Sequence, residues 1–225
     1  MNYQIYLEQT RDLLGSPSEY FRSWDRANSF RFMLRTALLL LAVSTALLFF
    51  AALANLSVLR EAGLAMERAL PGFQSGGFAK TVPWNRIFFA VFWLNAMLLV
   101  GFSRHLTVML LGEKDRALAT TQAITFAGFL PGIVMLTISG LIATFFPVVP
   151  GAVQSGGVRF SIWVSLMAVL LTFVFDARIC ISGFKAVYAQ NTGRAVLTWL
   201  SPILILGFAC FVLYGLFILL LIVVR

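Results

Sequence analysis

The side chains best suited to chemistry are few and scattered in this sequence. Its one histidine, His105, follows an arginine, with no HExxH, GxSxG or carboxylate pair nearby. Cys180 and Cys210 lie in apolar segments without a CxxC motif, which is typical of small buried side chains. Catalysis needs a positioned nucleophile, base or metal set. The sequence therefore predicts a non-enzymatic protein with no catalytic residue, metal or cofactor, and an interfacial His105 rather than a proton relay or headgroup contact.

Four polar residues that interrupt apolar segments are the candidate intramembrane contacts. Asn95 is central in FFAVFWLNAMLLVG, where an amide is expected to bind a neighbouring helix, a substrate contact being the alternative. Arg104 and Asp176 each follow about sixteen apolar residues, which places both about 25 Å from the outer start of their spans. We predict that they pair and that the second span packs against the fourth. Arg178 points to another face. Alternatively, Arg104 reaches phosphates and Asp176 reaches water independently.

The composition indicates an integral membrane protein. Of 225 residues, 60% are hydrophobic and 12% are charged, against about 25% charged in a globular average. The net charge is +8, but the basic residues are dispersed between apolar stretches. They therefore do not form the basic patch of a nucleic-acid-binding protein. Scattered basic residues are typical of membrane orientation signals and of contacts with anionic headgroups.

The apolar stretches define the fold class, an all-α polytopic membrane bundle. We expect an amphipathic cytoplasmic segment over residues 1–32 and a membrane domain over residues 33–225. The charge run 113–116 cannot lie in hydrocarbon, so it predicts an aqueous connection between the second and third spans. Pro131, near the start of the third span, predicts a kink or a broken first turn, and Pro202, near the start of the fifth span, predicts a helix break. The five expected transmembrane helices cover about 36–56, 87–111, 123–147, 160–182 and 200–224.

The distribution of basic residues predicts the orientation. With the N-terminus in the cytoplasm, eleven arginines and lysines fall inside and six outside. Cytoplasmic loops carry the excess of basic residues in membrane proteins. We therefore expect a cytoplasmic N-terminus and, after five spans, a C-terminus on the opposite side.

The N-terminal segment contains a helix-start signal at residues 16–19, SPSE. Serine can cap the helix, proline suits its first position, and glutamate can reach back to the cap. Rings and guanidiniums alternate in the helix that follows, which suits the headgroup layer. We predict an interfacial helix on the inner leaflet, the alternative being a helix packed against the protein's own cytoplasmic loops. Its membrane-interface residues are Tyr20, Phe21, Trp24, Arg22 and Arg26.

Three passages together resemble the Yip family of Ypt/Rab-interacting membrane proteins. They are SPSEYF, the LG–polar–FLPG passage into the third span, and ISGFKAVYAQNTGRAVLTWLSPILI. The resemblance extends from about Ser16 to the C-terminus and implies five helices, a cytoplasmic N-terminus and no known catalytic residues. Eukaryotic members are associated with Rab GTPases, vesicle traffic and membrane shape. This chain lacks their long N-terminal region and resembles the prokaryotic type, so Rab binding is not expected.

Two functions fit these features. One is a scaffold, assembly or membrane-organising factor of the bacterial inner membrane, whose partners are lipids with anionic headgroups, other integral membrane proteins or further copies of itself. The alternative is a transport or lipid-handling protein, such as a permease or a scramblase-like subunit. A transport path needs charges that converge at the midplane, whereas the charges here lie near the span ends. The sequence therefore favours the scaffold.

Overall fold

The protein is helical throughout the part of the chain that the structure describes. This structure is a computed structural model, and it describes residues 9, 11–24, 26–69, 78–113, 117–147 and 156–223. Residues 11–15 are helical, and no strand occurs in the described ranges. The expectation of an all-α fold is confirmed. The helices that follow are α1 (Pro17–Arg22), α2 (Arg26–Ala54), α3 (Leu56–Ala69), α4 (Phe78–Leu110), α5 (Leu118–Phe145), α6 (Gly156–Tyr188) and α7 (Thr192–Val223).

Four of these helices contain stretches long and apolar enough to cross a membrane, which makes this a multi-pass membrane protein. The stretches are Ser29–Ala54, Ala90–Leu110, Leu118–Phe145 and Arg159–Tyr188. The fifth expected span, 200–224, falls in α7. The apolar part of α7 whose side chains the structure describes, Thr192–Phe208, is shorter than the four stretches above. The side chains of 209–223 and all of 224–225 lie outside the described residues.

Helix α5 is the centre of the bundle. It packs against α6, α2 and α4, and its contact with α6 is the most extensive in the structure. Every residue from Thr120 to Gly128 is buried, as expected for a helix that neighbours surround on all sides. On the α4 side, the Gln122 amide donates to the Leu98 carbonyl at 2.9 Å. On the α6 side, Gly132 lies against Thr172, so small residues allow close packing.

Helix α4 ends in a Schellman turn directly before the charge run. Gly112 has a φ of 73°, a left-handed conformation that glycine adopts without steric cost. The Gly112 N–H donates to the Met109 carbonyl at 3.1 Å, and the Glu113 N–H donates to the Val108 carbonyl at 3.4 Å. The predicted aqueous connection begins here, and its residues 114–116 lie outside the described part of the chain.

Neither Pro131 nor Pro202 breaks its helix, so the predicted breaks are wrong, whereas the alternative of a kink at Pro131 stays a prediction. Pro131 lies inside α5 and Pro202 lies inside α7. A proline removes the N–H that would bond to the carbonyl four residues earlier. For Pro202 that carbonyl belongs to Thr198, and the Ser201 hydroxyl donates to it at 2.8 Å instead. The local serine thus replaces the missing donor, and the helix continues.

Helix α1 begins where the sequence predicts but without the expected capping box. Ser16 is the N-cap and Pro17 occupies the first turn, yet Ser16 makes no side-chain capping bond. Its backbone carbonyl instead accepts the N–H groups of Glu19 at 3.0 Å and Tyr20 at 3.1 Å. The position of the helix start is confirmed, and the side-chain bond that was expected to specify it is not formed.

The prediction that Phe21 faces lipid is also wrong. Phe21 is 3% exposed, within the main hydrophobic core. It lies over Gly183 of α6, where an added Cβ would come within 3.0 Å of the ring. Tyr20 and Trp24 are half-buried against the same core. The protein's own surface, here helix α6, therefore covers the apolar face of α1. Arg22 is exposed, and the side chain of Arg26 lies outside the described residues.

Candidate functional site

A buried ion pair joins the fourth and sixth helices. The Arg104 Nη2 atom of α4 lies 2.7 Å from Asp176 Oδ2 of α6, and Nη1 lies 3.4 Å from Oδ1. Arg104 is 2% exposed and Asp176 is 7% exposed. The geometry is the bidentate fork in which arginine binds a carboxylate most strongly. The structure thus brings together the two residues whose spacing in the sequence predicts a pair.

The two charges meet across α5, and not through direct packing of their own helices. Helix α4 makes its main contacts with α2, α5 and α7, and α6 is not among them. The predicted packing of the second span against the fourth is therefore wrong. Gly128 of α5 makes the approach possible. A Cβ at Gly128 would lie 2.5 Å from Cys180 Sγ and closer still to Asp176 Oδ1.

Two further side chains complete the hydrogen bonding of Asp176. The Trp199 indole N–H of α7 donates to Oδ2 at 2.7 Å, and the Cys180 thiol donates to Oδ1 at 3.2 Å. Arg104 Nη1 also lies 3.2 Å from Cys180 Sγ. Both carboxylate oxygens are thus saturated, while the buried Arg104 Nε–H has no hydrogen-bond partner among the described residues. A buried ion pair destabilises the fold least when its remaining polar groups are hydrogen-bonded. We call Arg104, Asp176, Cys180 and Trp199 the clamp cluster, because it connects α4, α6 and α7 around α5.

A second polar chain lies beside the clamp cluster. His105 Nδ1 is 3.3 Å from the Thr121 hydroxyl, which is 2.7 Å from the Tyr188 hydroxyl. His105 is buried between helices near the end of its candidate span, and its place at the membrane interface stays a prediction. These three residues connect α4, α5 and α6 through side-chain hydrogen bonds and reinforce the packing around α5.

Asn95 and Arg178 do not belong to either group. The Asn95 amide donates to the Val91 carbonyl of its own helix at 2.8 Å, and the residue is exposed. The expected bond from Asn95 to a neighbouring helix is therefore not present within this chain's described residues. Arg178 donates to the Gly15 carbonyl at 2.9 Å. It attaches the N-terminal segment to α6 and takes no part in binding Asp176.

The clamp cluster is suited to holding helices and leaves no space for a reacting group. Cys180 is fully buried, so its thiol is not accessible as a nucleophile. A single methyl group at Gly128 would overlap two members of the cluster. The described residues contain no group of three His, Cys, Asp or Glu side chains arranged to hold a metal. What the cluster does chemically is fix the relative positions of four helices.

Sequence reasoning missed three members of this arrangement. Cys180 is one helical turn beyond Asp176, and this spacing was the available signal for their contact. Trp199 comes from a different helix, and nothing in its local sequence indicates an acceptor. Gly128 is a small residue of the kind that allows close helix packing, and nothing in the sequence indicates that Asp176 and Cys180 of α6 meet over it.

Searches against protein-family models, curated proteins and solved structures gave no match.

Proposed function

We propose that this chain is a non-enzymatic scaffold, assembly or membrane-organising factor of the Yip-like type. The observation that carries the proposal is the saturation of Asp176, whose oxygens accept from Arg104, Trp199 and Cys180. A transport path needs polar groups that can exchange their partners for a substrate near the midplane. Here Arg104 and Asp176 bind each other, and the Asp176 and Cys180 side chains pack so closely over Gly128 that an added methyl group would not fit. Rigidly joined helices suit a protein whose role is to bind other proteins.

The proposed topology has five spans, a cytoplasmic N-terminus and a place in the bacterial inner membrane. Helix α7 has 32 residues, and a transmembrane helix needs about 20. The eleven-to-six distribution of basic residues supports a cytoplasmic N-terminus. The resemblance to prokaryotic Yip proteins supports the five spans and the cytoplasmic N-terminus.

The proposed partners are lipids with anionic headgroups and other integral membrane proteins. Arg22 of α1 and Lys185 of α6 line one polar cavity together with Ser18 and Ser182. Both cations are exposed, and Lys185 donates to the Thr192 hydroxyl at 3.0 Å. Basic side chains at a membrane surface attract anionic headgroups, so this cavity supports a lipid contact beside α1.

The test is a flux measurement on the full chain in vesicles of phosphatidylethanolamine and phosphatidylglycerol. We expect fluorescent-lipid scrambling and ion flux equal to those of protein-free vesicles. In parallel, a membrane protein or lipid retained in mild detergent should rebind the purified chain at a fixed stoichiometry. Flux above the protein-free level that Asp176→Asn removes would contradict the scaffold and support the transport alternative.

A further inference from the structure

A stripe of seven exposed side chains runs along α4. Its members alternate at spacings of four and three residues, a mean of 3.5. Its six apolar residues are each at least 38% exposed. This is the period at which two helices pack knobs into holes. At 1.5 Å per residue the stripe covers about 32 Å, close to the hydrocarbon thickness of a bilayer. The α4 stripe consists of Phe88, Phe92, Asn95, Leu99, Phe102, Leu106 and Met109.

The one polar member of the α4 stripe, Asn95, has an unused hydrogen-bonding capacity. One amide N–H donates to the Val91 carbonyl at 2.8 Å, and the side chain is exposed. Among the described residues no donor reaches its Oδ1 atom. An amide has a second N–H and a carbonyl with two lone pairs. Neither water nor an acyl chain can satisfy them in the hydrocarbon core, so the exposed amide is unfavourable there without a protein partner.

The exposed faces of the other spans differ from the α4 stripe. On α6 the exposed mid-span residues are apolar, among them Trp163, Leu166 and Leu170. Within the described residues, Asn95 is the one amide exposed inside a candidate span. Acyl chains cover an apolar face adequately, whereas the face around Asn95 needs a hydrogen-bonding partner.

We propose that a second copy of this chain covers the α4 stripe and forms a two-fold symmetric dimer. Copies inserted in one membrane have the same orientation, so their α4 helices run parallel about an axis along the membrane normal. A symmetric interface places Asn95 opposite Asn95 of the second copy. Each free N–H then donates to the other Oδ1, and both carbonyls are satisfied. The six apolar members of the stripe supply the packing on either side of this pair.

A second copy fits this surface better than a different protein does, because its amide lies at the required depth by symmetry. A single asparagine in such a seam also fixes the register of two helices. The inference rests on the proposed scaffold function, since it names one of its partners. The two hypotheses can nevertheless fail independently. A monomeric chain could still be a scaffold for another membrane protein, and a dimeric chain could still transport ions or lipids.

The test measures dimerisation of the full chain in lipid vesicles by energy transfer between labelled copies. Asn95→Val removes both reciprocal amide bonds and should raise the dissociation constant about nine- to nine-hundred-fold, since one interhelical amide hydrogen bond in a membrane is worth about three- to thirty-fold. The matched control is Asn55→Val. Asn55 makes the same local bond, to the Ala51 carbonyl at 3.0 Å, but it lies at the end of α2. We expect Asn55→Val to leave the dissociation constant unchanged.

Cysteine cross-linking gives a readout that does not depend on Asn95→Val folding correctly. Phe92→Cys and Leu99→Cys flank Asn95 in the stripe and should each form a cross-linked dimer in vesicles. Leu170→Cys, on the exposed face of α6, should not, and the unsubstituted chain provides the background. Equal dissociation constants for the two asparagine variants would overturn the proposal. Cross-linking at Leu170→Cys as efficient as at the stripe would overturn it as well.

Discussion

Replacing Gly128 by alanine adds one methyl group where the side chains of the clamp cluster cross α5. The new Cβ would lie 2.5 Å from Cys180 Sγ and closer to Asp176 Oδ1. Neither atom can move away freely, because Asp176 is held by Arg104 and by the Trp199 indole, at 2.7 Å each. The substitution therefore has to displace a buried charge from its partners or shift α5 away from α6.

The expected loss of stability follows from three contributions. Overpacking by one methyl group costs about 1–3 kcal/mol. Weakening one hydrogen bond to a charged group costs about 1.5–3 kcal/mol. The better helix propensity of alanine returns about 1 kcal/mol. Gly128→Ala should thus destabilise the protein by roughly 1.5–5 kcal/mol, a fall in melting temperature of about 3–20 °C for a chain of this size.

Gly207→Ala is the matched control for this substitution. Gly207 lies inside α7, and a Cβ there meets no atom within 4 Å. The same chemical change should therefore leave the melting temperature unchanged or raise it by a few degrees. The assay is thermal unfolding of both variants in one detergent, followed by circular dichroism. Equal melting temperatures for the two variants would refute the argument that the clamp cluster is tightly packed over Gly128.

Three other measurements test separate parts of the structure. Reporter fusions at Asp115 and at Lys80 should report opposite compartments, and cytoplasmic signal from both would exclude the proposed topology. Ser201→Ala should lower the free energy of unfolding in detergent by about 1–3 kcal/mol, since the Thr198 carbonyl loses the hydroxyl group that donates to it at 2.8 Å. An unchanged melting temperature would show that water replaces the hydroxyl group. Burial, with a smaller effect from nearby acidic charge, raises the pKa of Tyr20 to about 12. The stability that this provides is complete below pH 10 and is lost as the pH rises toward 12, and Tyr20→Phe should remove that loss in alkaline melting curves.

The sequence predicts the membrane helices well because each contains a long apolar stretch and because few charged residues interrupt these stretches. It also predicts the Arg104–Asp176 pair, since apolar stretches of nearly equal length precede both residues and place them at the same depth in the membrane. Two errors have one physical cause. An amphipathic face does not reveal what covers it, so Phe21, expected against lipid, packs on α6. Asn95, expected between helices, is exposed for the same reason.

The position of α5 between the paired charges could not be predicted from the sequence. Spacing along each span gives the depth of a residue but not the order of helices around the bundle. Trp199 lies in the next helix, 23 residues after Asp176, and only the folded arrangement brings the indole N–H to 2.7 Å from the carboxylate. The unbroken helix at Pro202 depends on the neighbouring Ser201 hydroxyl, a local compensation that a proline rule alone does not include.

The central claim is that the Arg104–Asp176 pair holds the helices together, and a double-mutant cycle tests it most directly. Arg104→Ala and Asp176→Ala should each destabilise the protein by about 3–5 kcal/mol, because each leaves a buried charge without its partner. The double variant removes both charges and should lose clearly less than the sum, with a coupling of about 0.5–3 kcal/mol. Detergent melting of the four proteins gives these values. Strict additivity of the two losses would contradict the account, because it would mean that neither charge depends on the other.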